Sequence, residues 1–137
     1  MINWKAIRYF KSSEFDDPSH PGSGDSIDGV LLVLLCRLRA DTGWPMIITS
    51  AVDIDGSHGH AEKSLHRLDQ GCKAVDFFFK TILSTREQVY AVMRVGFGGL
   101  GIYYDWGIPI GFHVDIRPKE WTQLWRREDG KYVYLLR

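Results

Sequence analysis

Apolar and polar positions along the chain fall into short segments with two different periods. Ile27, Val30, Leu31, Leu34, Leu35 and Leu38 recur at helical spacing and predict an amphipathic helix with one wide apolar face. The stretch before it, "DDPSHPGSGDS" (16–26), is a loop by composition, with Asp25 or Ser26 placed to cap the helix. "DTGWP" ends the helix, with Gly43 at the C-cap. "MIITS" then reads as a buried strand, and "KAVDFFF" as a second, because β-branched and aromatic residues suit a pleated surface. "STREQVYAVMRV" starts with Ser84 and carries Glu87, the signature of a capped helix with Val89, Val92, Met93 and Val95 inward.

The second half is less regular. "GFGGLGIYYDW" lacks the strand–GxGxxG–helix order of a nucleotide site and reads as a tight turn entering a strand. "GFHVDIR" has period two, setting Phe112, Val114 and Ile116 on one face and His113, Asp115 and Arg117 on the other. Pro118 can open a short helix containing Trp121 and Leu124, and Asp129–Gly130 between "LWRRE" and "KYVYLL" signals a hairpin. These elements predict one α+β domain over residues 1–137, a small, mainly antiparallel sheet packed by helices.

Composition narrows the function. A formal net charge of zero, with both signs mixed along the chain and no basic helix or stripe, argues against a nucleic-acid or anionic-membrane binder. Cys36 and Cys72 form no CxxC pair, so neither a disulfide framework nor a thiolate zinc site is expected; Cys36, in the apolar helix, reads as the buried thiol. The N-terminus lacks the apolar run of a signal peptide, and "GVLLVLLC" is too short to span a bilayer. The expectation is a soluble monomer, cytoplasmic as synthesised and not inserted in a membrane.

Strand parity carries the chemistry. A core strand has little reason to place His113, Asp115 and Arg117 on one face unless that face lines a cleft or meets solvent. Asp76 sits at the rim of the aromatic strand, and His66 precedes it across a glycine-containing loop. Taken alone, that pair reads either as half of a metal site or as polar residues at the mouth of a buried strand. With His113 it offers the imidazole and carboxylate donors zinc takes in catalytic sites, and a held ion acidifies water and polarises a carbonyl. "HGHAEKSLH" provides a rival group; His58 and His60 read as exposed loop residues, although either could approach the cleft.

Four segments, "YFKSSEFDD", "LLCRLRADTGWPMIITS", "SLHRLDQGCKAVDF" and "GFHVDIRP", occur in the order seen in the M15 family of zinc D-Ala-D-Ala carboxypeptidases and related cell-wall peptidases. The chain resembles that family's short phage and bacterial branch over residues 9 to 118. The resemblance implies a hedgehog/D-Ala-D-Ala peptidase-like fold with zinc in the cleft, bound by His66, Asp76 and His113. It implies a hydrolase, a zinc metallopeptidase acting on peptidoglycan stem or crossbridge peptides in cell wall degradation. It also implies a phage-like setting, in which a holin opens the membrane or a particle carries the protein to the wall.

Two features are particular to this chain. "RLDQGCKAV" between His66 and Asp76 is three residues longer than the family's usual stretch. "TSAVD" stands where members commonly read Thr-Ser-Gly-Tyr-Arg, so Asp53 takes the place of an arginine associated with the substrate carboxylate. The reversed charge makes endopeptidase action easier to accept than carboxypeptidase action. The same two features motivate a reading of another class: a non-catalytic cell-wall-binding or virion structural module that keeps the fold.

Two carboxylates could accept the proton from water. Asp115 shares the His113 face and is the first choice, and it could equally hold a ligand imidazole in place; Asp105, in "YYDWG", is the other. Arg117 could bind a substrate carboxylate or pair with an acidic neighbour. Tyr103, Tyr104 and Trp106 read either as groove lining or as packing, and Trp121 and Trp125 as structural.

Overall fold

In a computed structural model of the chain, residues 1–136 are described. Two α-helices, α1 (Gly29–Thr42) and α2 (Thr85–Val95), pack on one six-stranded sheet. The strands are β1 (Met46–Ser50), β2 (Ala74–Phe79), β3 (Gly99–Tyr103), β4 (Gly111–Asp115), β5 (Gln123–Glu128) and β6 (Lys131–Leu136), in the order β1-β2-β4-β3-β5-β6. All pairings are antiparallel except β3 with β5. The α+β class and the mainly antiparallel sheet stand as predicted. Among the described residues, no helix is long and apolar enough to cross a membrane.

Local chemistry explains most boundaries. The Asp28 carboxylate, rather than Asp25 or Ser26, caps α1 by accepting from the amides of Val30 and Leu31. Gly43 closes the helix in the left-handed conformation. Ser84 and Glu87 form the reciprocal capping box of α2. The apolar stripes are narrower than their periodicity suggested, since Val30 and Met93 are exposed. Asp129 and Gly130, both at positive φ, make the tight turn between β5 and β6.

One expected element is absent. No helix follows Pro118; instead the Gln123 amide donates to Gly98 O and the Thr122 hydroxyl to Phe97 O, feeding the chain into β5 alongside β3. A helix of one or two turns cannot recover its nucleation cost, and pairing with an existing strand prevails. Cysteine burial is also the reverse of expectation: Cys72 is fully buried and Cys36 half-buried, both as free thiols.

The two sheet faces have opposite chemistry. Val75, Phe77, Phe79, Leu100, Ile102, Phe112 and Val114 face the helices and meet Leu31, Leu35, Leu38, Val92 and Val95 in one core. Phe77 stacks on its register partner Phe112, with ring centres 5.6 Å apart. Each such fully buried side chain contributes roughly 1.5–3 kcal/mol. On the opposite face a single register row, Ser50–Asp76–His113–Gly101–Trp125–Tyr134, crosses all six strands.

Candidate metal centre

The row across the sheet positions the centre. Asp76 and His113 are direct partners on β2 and β4, so the pleat aims both side chains to the same side. His113 Nδ1 donates to Asp76 Oδ1 at 2.8 Å, and its Nε2 donates to Asp115 Oδ2 at 2.8 Å. His66 comes from the loop before β2. Its Nδ1 donates to Ala51 O at 2.9 Å, which leaves Nε2 facing Asp76 Oδ1 at 3.2 Å.

The longer His66–Asp76 segment does not displace the histidine. Leu68–Gln70 form a 3-10 turn, and the Cys72 amide donates back to Arg67 O, so the extra residues close on themselves. Backbone bonds from Asp53 N to His66 O and from Lys73 N to Leu65 O hold the histidine's own segment on either side. His66, Asp76 and His113 therefore meet at one carboxylate oxygen.

The electrostatics follow from burial without water. Burial alone would lower the His113 pKa, but its hydrogen bonds to Asp115 and Asp76 outweigh that and raise it to about 9. The same contacts work in reverse on the acids. Burial opposes the Asp76 charge, yet His113 and His66 hold it well below the usual carboxylate range; His113 and Arg117 do the same for Asp115.

The donor geometry fits a tetrahedral cation. Two donors on one zinc lie about 3.3 Å apart, and two imidazoles sharing it have ring centres about 5 Å apart. The 3.2 Å and 2.8 Å contacts need little adjustment, and the His66 and His113 ring centres are 5.3 Å apart at 65°. The three ligating atoms that lie within 4.8 Å of one another belong to a different set, His60, His66 and Asp76. His60 stacks on His66 with centres only 4.1 Å apart, tighter than a shared ion allows, and it rides on a loop. Ring spacing and the rigidity of the β2–β4 pair favour His66, Asp76 and His113 over proximity alone.

The two candidate bases separate. Asp115 belongs to the cluster, but both its oxygens are engaged: His113 and Arg117 share Oδ2, and the Arg117 amide and Nε take Oδ1. It is placed to hold the His113 imidazole, and Arg117 is committed to it and to Gln123. Asp105 instead joins the β5–β6 hairpin, accepting from Arg127 Nε at 2.8 Å and from the Gly130 amide.

A cleft of about 390 Å3 opens beside His113 and Asp115, with Tyr103, Trp125, Tyr132 and Tyr134 on one side and Lys63–Leu65 on the other. The glycines of β3 make room for it. A Cβ on Gly101 would sit 2.6 Å from the Trp125 indole, and one on Gly99 would sit 2.5 Å from the Asp115 carboxylate. Trp125 thereby lies across β3 with its ring 5.4 Å from His113 and under the Arg117 guanidinium. Tyr103 lines the cleft as groove residue, whereas Trp106 packs over Gly111 and lies outside it.

Sequence reasoning placed His60 and Asp53 elsewhere. Asp53 is fully buried and accepts from His60 Nδ1 at 2.8 Å and from the Gly56 amide at 2.7 Å. His58 is tied to the equally buried Asp17. No periodic pattern marks such loop pairs. The alternation Gly99–x–Gly101 was the legible clue to Trp125. Comparison of the chain with protein-family models, curated proteins and solved structures gives no match.

Proposed function

We propose that the protein is a zinc-dependent peptidase that hydrolyses peptide bonds in peptidoglycan stem or crossbridge peptides, with the peptidase-like fold that the sequence resemblance implies. The observation that carries this reading is the meeting of His66 Nε2 and His113 Nδ1 at Asp76 Oδ1 beside an open cleft. Those three residues would hold the ion. An ion so held supplies a Lewis acid that polarises the scissile carbonyl and makes water a better nucleophile near neutral pH.

The remaining groups orient and bind. Asp115, fixed by Arg117, holds the His113 ring through Nε2 and keeps Nδ1 aimed at Asp76. Asp115 is also the one of the two proposed proton acceptors that touches the cluster. The aromatic wall of Tyr103, Trp125, Tyr132 and Tyr134 excludes water from one side of the bound peptide. Arg117 is occupied by Asp115 and Gln123, and Asp53 by His60 and Gly56, so neither presents a free charge to a chain-terminal carboxylate. That favours internal bonds, hence endopeptidase action. Access to the wall belongs to the same proposal, through a holin or a phage-like particle.

The test pairs metal with hydrolysis. Untagged protein should carry one zinc per chain, and His66→Ala and Asp76→Ala should each abolish its retention while the apolar core still folds. Purified peptidoglycan incubated with zinc-loaded protein should gain new amino and carboxyl termini. A folded protein that takes up no zinc at micromolar concentration would refute the proposal. Tight zinc with no new termini would leave a non-catalytic cell-wall or virion module.

A further inference from the structure

We propose that His60 is a fourth protein ligand of the ion, and that the loop carrying it closes the metal centre at rest. This rests on the metal reading above. His60 lies in the loop between β1 and His66, and its ligating atom falls within 4.8 Å of those of His66 and Asp76. Its ring is oriented as metal-binding histidines are: Nδ1 is held by a buried carboxylate, Asp53, which is in turn fixed by the Gly56 amide. That leaves Nε2, whose contact is with Ser50 Oγ at 3.3 Å, and Ser50 is the register partner of Asp76.

The arrangement gives Asp53 a role. A carboxylate at this position makes no sense as a substrate-carboxylate anchor, and it is turned away from the cleft, but it is well suited to orient an additional imidazole. His60 reaches the ion by opening its 4.1 Å stack on His66 to the about 5 Å of two imidazoles on one zinc. The segment that must shift is lightly held. Asp55, Ser57, His58, Gly59 and the Ala61–Lys63 stretch are turns and bends, mostly exposed, with single backbone bonds such as Gly59 N to Gly56 O.

Four protein ligands are the mark of a closed zinc site, whereas catalytic sites leave one position open. His60 therefore makes the centre latent. It protects the ion until a peptide entering between Lys63–Leu65 and the aromatic wall draws the loop away.

Zinc competition and cobalt absorption on the full-length protein test this, using His60→Ala and His60→Gln. Each variant should lose at least tenfold in zinc affinity, and the cobalt bands should shift in position and intensity as one nitrogen ligand is lost. Asp53→Asn should weaken zinc by about tenfold while leaving His60 in place. Zinc affinity within twofold of the parent and an unchanged cobalt spectrum in both His60 variants would overturn the proposal. So would a His113→Ala protein that keeps its zinc while the His60 variants lose theirs, because His60 would then be the third ligand. His66→Ala and Asp76→Ala separate the two readings: if these keep full zinc affinity, the metal centre itself is refuted, independently of His60.

Discussion

Zinc uptake by this protein should release a proton from His113, and the affinity should climb with pH accordingly. The perturbation is pH itself. With no ion bound, the His113 imidazole is shared between Asp76 and Asp115, which raise its pKa to about 9 against the burial that would lower it. A ligand nitrogen must be unprotonated, so at pH 7 the ion displaces a proton held about two pH units above ambient. That costs about 3 kcal/mol, or about a hundredfold in apparent affinity. Apparent affinity should rise close to tenfold per pH unit between 6.5 and 8.5 and level off near 9.

Competition against a fluorescent zinc chelator at several pH values reads the slope. Calorimetry in buffers of different ionisation heat should count about one proton released per zinc at pH 7. The metal-free protein should respond with the opposite sign. A folded pKa raised above the unfolded value, about 6.5, contributes stability that is complete below pH 6.5 and lost as pH rises through about 9. The loss is about 3 kcal/mol at most, measurable by urea unfolding of chelator-treated protein. A flat zinc affinity over this range, with no proton released, would show that His113 is not a ligand.

Two further outcomes follow from neighbouring residues. Asp115→Asn should weaken zinc by roughly 10–100-fold, because the ligand imidazole loses its anchor, and should lose turnover even at saturating zinc. Asp105→Asn should keep both metal and turnover, and a zinc-loaded but inactive Asp105→Asn protein would move proton transfer to the β3–β4 turn. Gly101→Ala should destabilise the fold by about 1–3 kcal/mol, since its Cβ would lie 2.6 Å from the Trp125 indole. Unfolding of Gly101→Ala at the parent denaturant midpoint would contradict the packing described for that strand.

What the sequence made legible was local. The Ser84–Glu87 box, the Gly43 stop, the Asp129–Gly130 turn and the period-two pattern of Phe112 to Asp115 each depend on neighbours within a few residues. Asp76, His66 and His113 could be grouped because strand parity put two of them on one face and the loop brought the third. The illegible parts depend on distant partners. β5 forms because β3 offers a parallel edge, and nothing within residues 118–124 encodes that choice. Gly99 and Gly101 looked like turn residues; their purpose appears only when Asp115 and Trp125 are seen lying over them. His60 looked exposed because Asp53, seven residues earlier, reaches it through loop geometry that has no periodicity.

The residue types in the cluster carry one more argument. Asp53 and Asp115 are fully buried and Asp76 nearly so, and a buried carboxylate is costly unless a cation faces it. A purely structural network would be served by arginine, whose charge is fixed and whose fork matches a carboxylate. Here Arg117 fills that role once, for Asp115, while His60, His66 and His113 face the rest. Imidazoles balance buried acids only while they hold protons, and they give those protons up to a cation without leaving the acids uncompensated. Three histidines on shared carboxylates therefore make a poor permanent brace and a good place to exchange protons for a divalent ion. The single arginine stands where the exchange must not happen, behind the residue that holds the His113 ring.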